Sequence, residues 1–108
     1  MNPGAAIDDF FVRMSSGSQT VIAPRGELDL ATVPIFETVV EGIDFSSVRL
    51  VVLDLAALAF IDVSGMRAVL RLHEICRAHS VALTIRPGPR AVQRVFELTY
   101  TRGFLPFM

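Results

Sequence analysis

Phe60-Ile61-Asp62-Val63-Ser64-Gly65-Met66 sets a carboxylate and a small hydroxyl residue where a buried strand gives way to a helix. Upstream, Leu50 to Leu53 is continuously apolar and rich in valine, the pattern of a strand covered on both faces. Downstream, an amphipathic helical pattern opens at Met66. Asp62 and Ser64 therefore fall at a helix N-terminus, where unpaired backbone N–H groups and the positive end of the macrodipole stabilise added negative charge, a phosphate included. Ser, Asp and Gly are also the residues that any helix entrance prefers, so one of the two side chains has a plain capping role open to it. The two roles are compatible, since a serine can cap in one state and carry a phosphate in another.

Working towards the N-terminus, Arg49 to Leu55 is expected as the central strand, preceded by a helix. Thr32 offers a cap, Pro34 sits in the first turn, and Val33, Phe36, Val40 and Ile43 line one face until Gly42 and Asp44 stop it. Gly26 to Leu30 is expected to be the loop feeding that helix. Phe10 to Met14 and Gln19 to Arg25 suit two strands of a hairpin joined by Ser15-Ser16-Gly17-Ser18, with the second ending at Pro24 or turning that position away from the ladder. Met1 to Asp9 is expected to be a flexible, solvated end.

Working towards the C-terminus, the helix after Asp62 carries a polar stripe of Arg67, Arg71, Glu74 and Ala78 opposite Met66, Val69, Leu70, His73 and Cys76. Val81 to Arg86 alternates as a strand, Pro87-Gly88-Pro89 turns, and Arg90 to Tyr100 closes the chain as a third helix before an apolar tail, Phe104 to Met108. The expected fold is α/β, a mixed β-sheet with helices in the order β-β-α-β-α-β-α. Strands separated by single helices imply parallel neighbours and right-handed crossovers. Sites in such sheets gather at the carboxyl ends of the parallel strands, which favours the loop carrying Asp62 and Ser64.

At 108 residues the chain fits one domain with one core. Ten basic residues against eleven acidic ones, with no basic run, give no electrostatic footprint for nucleic acid. The one cysteine, Cys76, has no second thiol for a disulfide, redox pair or thiolate metal site, which points to a cytoplasmic protein and a buried apolar role for that residue. No run of about 18 apolar residues suggests a membrane span, and Met1 to Asp9 lacks the charged and apolar regions of an export signal. The hydrophobic share of 52% is high for so small a chain: either the core is very apolar or some apolar surface is left over, and leftover surface would fit a protein that docks to another.

Catalysis through Ser64 finds no support in the pattern. Val63-Ser64-Gly65 does not make the Gly-x-Ser-x-Gly elbow, and His73 lies about 13 Å along the helix from Ser64, too far to act as its base. His79 is farther still and suits the helix C-terminus. No glycine-rich phosphate loop or dinucleotide fingerprint occurs, and no cofactor or metal set is legible. The expectation is a chain that is not an enzyme, whose Ser64 receives any phosphate from another protein.

Taken together, Gly26-Glu27-Leu28-Asp29, Val51-Val52-Leu53-Asp54-Leu55 and Phe60-Ile61-Asp62-x-Ser64-Gly65, in this order and spacing, resemble the STAS family across Phe10 to Phe104. That family includes anti-sigma factor antagonists and the cytoplasmic ends of sulphate transporters. The resemblance to the antagonists implies that Ser64 is phosphorylated by an anti-sigma factor with a histidine-kinase-like ATPase fold. It implies further that the unphosphorylated form binds this partner and frees a sigma factor, and that a PP2C-type phosphatase restores that form. The implied docking surface comprises Asp29, Asp62, Val63, Ser64, Gly65, Met66 and Arg67. The alternative implied by the same family is a STAS subunit of a lipid or anion transport assembly. The chain departs from the antagonists' pattern at Val63, where a hydroxyl residue is usual, at Ala56, and at Tyr100, where glycine usually follows Leu98-Thr99.

Overall fold

Three helices pack against a five-stranded mixed sheet in a computed structural model that describes residues 10–15 and 17–108. The expectations for Met1 to Asp9, and for Ser16 in the hairpin turn, lie outside those residues. The elements are β1 (Phe11–Ser15), β2 (Gln19–Leu28), α1 (Val33–Glu41), β3 (Leu50–Asp54), β4 (Leu58–Ile61), α2 (Val63–Ala78), β5 (Ala82–Arg86) and α3 (Arg90–Leu98). Short 3₁₀ turns occupy Phe45–Ser47 and Arg102–Phe104. The mixed α/β architecture is the expected one, and the order gains one strand, β4, in what was read as the approach to a turn. Only Leu58 and Ile61, the two ends of this four-residue strand, are buried, so it shows no alternation.

β1 and β2 pair antiparallel as a hairpin, β2 pairs parallel with β3, and β3 pairs parallel with β5. β2 does not stop near Pro24. It runs on through Gly26 to Leu28, so Gly26 to Leu28 is strand and not loop. The reason is a change of partner: Gln19 to Ile22 pair with β3, Gly26 to Leu28 pair with β4, and the proline falls between the two registers. No ladder donor is missed on that side.

The centre of the core is formed by Ile22, Leu28, Val51, Leu53, Leu58, Ile61 and Ile85 from the sheet and Leu55 just after β3, closed by Phe36, Val69, Leu72 and Phe96 from the helices. On α2 the buried face is Gly65, Met66, Ala68, Val69, Leu72 and Cys76, so the expected stripe is rotated: Leu70 and His73 stand at its margin and Ala68 and Leu72 at its centre. Cys76 is buried, and desolvation pushes its thiol up to about 11, which keeps it protonated and inert at neutral pH.

Both α2 and α3 finish in the same closing motif. Val81 N–H reaches back to Cys76 O and Ser80 N–H to Arg77 O, while Thr101 N–H reaches Phe96 O and Tyr100 N–H reaches Glu97 O. Ser80 and Tyr100 take the left-handed position that this motif requires, each at φ 57°. The third helix therefore ends at Leu98, two residues before the expected Tyr100. The tail is not loose: Pro106 O and Met108 N–H bond to the backbone of Ile85, covering the outer edge of β5, and Phe107 packs edge-on against Phe96.

Candidate functional site

The register of β2 against β4 builds the site. Leu28 is paired with Ile61 in a parallel ladder, so the residues that leave the two strand ends, Asp29 and Asp62, emerge side by side although 33 positions apart. Asp62 N–H donates to Leu28 O at 3.2 Å and continues the ladder into the turn.

Each carboxylate is then consumed by backbone donors. Asp62 Oδ1 accepts from Gly65 N–H at 2.9 Å, capping α2, while Oδ2 accepts from Leu30 N–H at 3.2 Å, tethering the neighbouring loop. Asp29 Oδ1 accepts from the N–H groups of Ala31 and Thr32 at 3.0 and 3.1 Å and so organises the entrance of α1. The expected cap, Thr32, makes no side-chain cap bond; its hydroxyl donates back to Glu27 O at 2.7 Å and locks the loop to the end of β2. Of the two capping candidates at α2, Asp62 holds the role, which leaves the Ser64 hydroxyl without it.

Ser64 occupies the second helical position, half-buried, and its side chain makes no hydrogen bond to any of the described residues. Gly65 is next, and it is fixed by space. A Cβ there would lie 2.3 Å from Leu28 O and 2.7 Å from Ile61 Cγ1, so α2 approaches the strand ends as closely as a hydrogen side chain permits. Met66 is only 6% exposed and lies under Thr99 and Thr101, whose hydroxyl oxygens sit 3.1 and 3.5 Å from its sulfur. Gly65 and Met66, named from sequence among the docking residues, are both buried. Val63 and Arg67 are exposed, and Asp29, Asp62 and Ser64 are partly so.

Leu30 was not among the residues singled out from sequence, yet it is 75% exposed and its backbone is held by Asp62. Leu30 with Val63 puts apolar surface beside the serine. A leucine one residue after Asp29 carries no local signal of this kind; only the long-range bond to Asp62 reveals it. His73 and His79 remain remote from the serine: His79 bonds Ile75 O through Nδ1 and stacks on Phe45.

Replacing Asp62 with Ala removes the α2 cap and the Leu30 tether together. The expected loss is about 2 kcal/mol, the top of the range for one N-cap, and chemical denaturation reads it. Asp62→Asn, which keeps one acceptor for Gly65 N–H, is expected to lose about half as much.

Chemically, the arrangement presents a hydroxyl over the first turn of a 16-residue helix, in a turn with no acidic residue within the helix itself, and flanks it with two capped carboxylates and two exposed apolar side chains. Such a site can accept a charged group and can offer a surface to a partner. Among the described residues no three His, Cys, Asp or Glu side chains gather as a metal set, and no helix is long and apolar enough to cross a membrane.

Residues 12–107 match the family model described as the STAS domain. Among solved structures, an anti-sigma factor antagonist from Mycobacterium paratuberculosis superposes with a TM-score of 0.79 at 20% identity, over 93% of this chain and 86% of that one. The Bacillus cell fate determinant SpoIIAA in its phosphorylated form gives 0.67 at 21% identity, over 92% and 90%. SLC26A9 gives 0.70 at 16% identity, over 83% of this chain but 17% of that one. No curated protein is similar enough to match. Identities this low speak for the fold alone, while the family model spans nearly all the described residues: the chain belongs to the STAS domain family.

Proposed function

We propose that this protein is an anti-sigma factor antagonist whose unphosphorylated form binds an anti-sigma factor and releases a sigma factor. Phosphorylation of Ser64 by that partner, an ATPase of histidine-kinase-like fold, ends the complex, and a PP2C-type phosphatase restores it. The protein works in the cytoplasm as a single docking domain, without catalysis, metal or cofactor of its own, and without nucleic acid as a partner. The observation that carries this reading is the division of labour at α2: Asp62 takes the capping role, leaving the half-buried Ser64 hydroxyl uncommitted at the positive end of the helix.

Asp29, Asp62, Val63, Ser64 and Arg67 supply the docking surface, with Gly65 and Met66 holding it in shape from below. A phosphate adds about −1.5 to −2 charge close to the Asp62 carboxylate, which raises the cost of desolvating that surface against a partner. The helix N-terminus meanwhile keeps the charge tolerable within the domain.

The test is phosphotransfer. Incubated with the cognate anti-sigma kinase and Mg-ATP, the protein is expected to gain one phosphate, on Ser64, and Ser64→Ala none. Labelling at another residue contradicts the proposal. The likeness to SLC26A9 favours a second reading, a STAS subunit of a lipid or anion transport assembly docked through the same turn. That reading predicts recovery in the membrane fraction bound to a transporter, with Ser64 unmodified.

A further inference from the structure

We propose that Tyr100 and Leu98, at the end of α3, form an apolar anchor continuous with the Ser64 surface, and that the anti-sigma factor reading Ser64 covers it with an apolar pocket rimmed by carboxylates. The inference rests on the function proposed above and adds a contact that none of the sequence motifs contains. Tyr100 stands at φ 57° in the closing motif of α3, where glycine fits without strain and a bulky side chain does not. Nothing within the domain repays that strain by packing, because Tyr100 is 85% exposed. Leu98, two residues earlier, is 67% exposed and equally unpacked. A strained backbone holding a large aromatic in water is an observation that asks for a function outside the domain.

Its position supplies one. Thr99 and Thr101, on either side of Tyr100, both lie against the sulfur of Met66 in the first turn of α2, two residues beyond Ser64. The end of α3 is therefore packed against the turn that carries Ser64, and an interface of ordinary size centred on the serine reaches it. Charge gives the partner's chemistry. Arg94 lies one helical turn before Leu98 on the same face, Arg102 follows Tyr100, and Arg67 follows Met66; all are exposed, and none forms an ion pair among the described residues. Glu97 is the single acid among the residues from Arg94 to Arg102. An exposed tyrosine on a segment that carries two arginines outside any ion pair, next to a helix turn that carries a third, suits an apolar pocket with an acidic rim, the arrangement in which aromatic anchors dominate an interface.

The experiment titrates the anti-sigma factor that phosphorylates Ser64, with ADP present, into wild type, Tyr100→Gly, Leu98→Gln and Ser64→Asp, alongside thermal melts and sedimentation of each protein alone. Tyr100→Gly relieves the backbone strain, so it is expected to melt at or above the wild-type temperature while its Kd rises at least tenfold. Leu98→Gln is expected to weaken binding severalfold with an unchanged melt. Wild-type affinity in Tyr100→Gly, with binding still lost in Ser64→Asp, overturns this inference and leaves the proposed function standing. A wild-type protein that neither binds nor is phosphorylated overturns both. Self-association that Tyr100→Gly abolishes overturns the choice of partner in favour of a second copy of the chain.

Discussion

Gly65→Ala is expected to lower the stability of the isolated domain by about 3 kcal/mol, the upper part of the usual range for overpacking, and Tm by roughly 10–20 °C. The added carbon would sit 2.3 Å from the Leu28 carbonyl oxygen, and that oxygen is already engaged by Asp62 N–H at the end of the β2–β4 ladder. Backbone so held cannot yield as the tip of a side chain can, so the strain falls on the α2 entrance itself. The same change at Gly103, where nothing lies within 4 Å of the added carbon, is expected to shift stability by about 0.5 kcal/mol or less. Paired urea titrations read both. Equal, small effects at the two positions contradict the close approach of α2 to the strand ends.

How far the sequence discloses this site depends on whether each signal is local. Asp62 and Gly65 are three residues apart, and the Asp62 carboxylate accepts the Gly65 N–H across a single turn, so the residue types alone announce the helix entrance. The central strand is equally plain from its unbroken apolar run, although only the Val51 and Leu53 face is fully buried and the face of Leu50 and Val52 is partly covered, where the run suggested cover on both. β4 is different. Its two inner residues, Ala59 and Phe60, are exposed, and it exists as a strand because the far end of β2 pairs with it. Pro24 and Gly26 mislead for the same reason, since their tolerance depends on where β2 exchanges partners. The juxtaposition of Asp29 with Asp62, and of Leu30 with both, follows from that register and has no counterpart in spacing along the chain. The role of Thr32 is also set outside the helix: Glu27 O captures its hydroxyl, and the Asp29 carboxylate accepts its N–H in the loop before α1.

Ser64→Asp is expected to raise the Kd for the anti-sigma partner at least a hundredfold, about 3 kcal/mol of binding free energy. The added carboxylate stands beside those of Asp62 and Asp29 on the surface that docks, where desolvating a further unpaired negative charge costs several kcal/mol. The same substitution acts oppositely on the domain alone. The first turn of α2 contains no acidic residue, so a carboxylate at its second position gains from the macrodipole, about 0.3–1 kcal/mol, set against repulsion from Asp62. The stability of Ser64→Asp is therefore expected to lie within about 1 kcal/mol of wild type. Ser64→Ala, which removes the hydroxyl without adding charge, is expected to bind within severalfold of wild type.

Site-specific incorporation of phosphoserine at position 64, followed by titration with the anti-sigma factor and urea denaturation of the same sample, separates loss of the complex from loss of the fold. Binding is expected to fall at least a hundredfold while the midpoint of unfolding stays close to that of the unmodified protein. Retained binding, or a phosphorylated domain that loses its fold, contradicts the proposed switch.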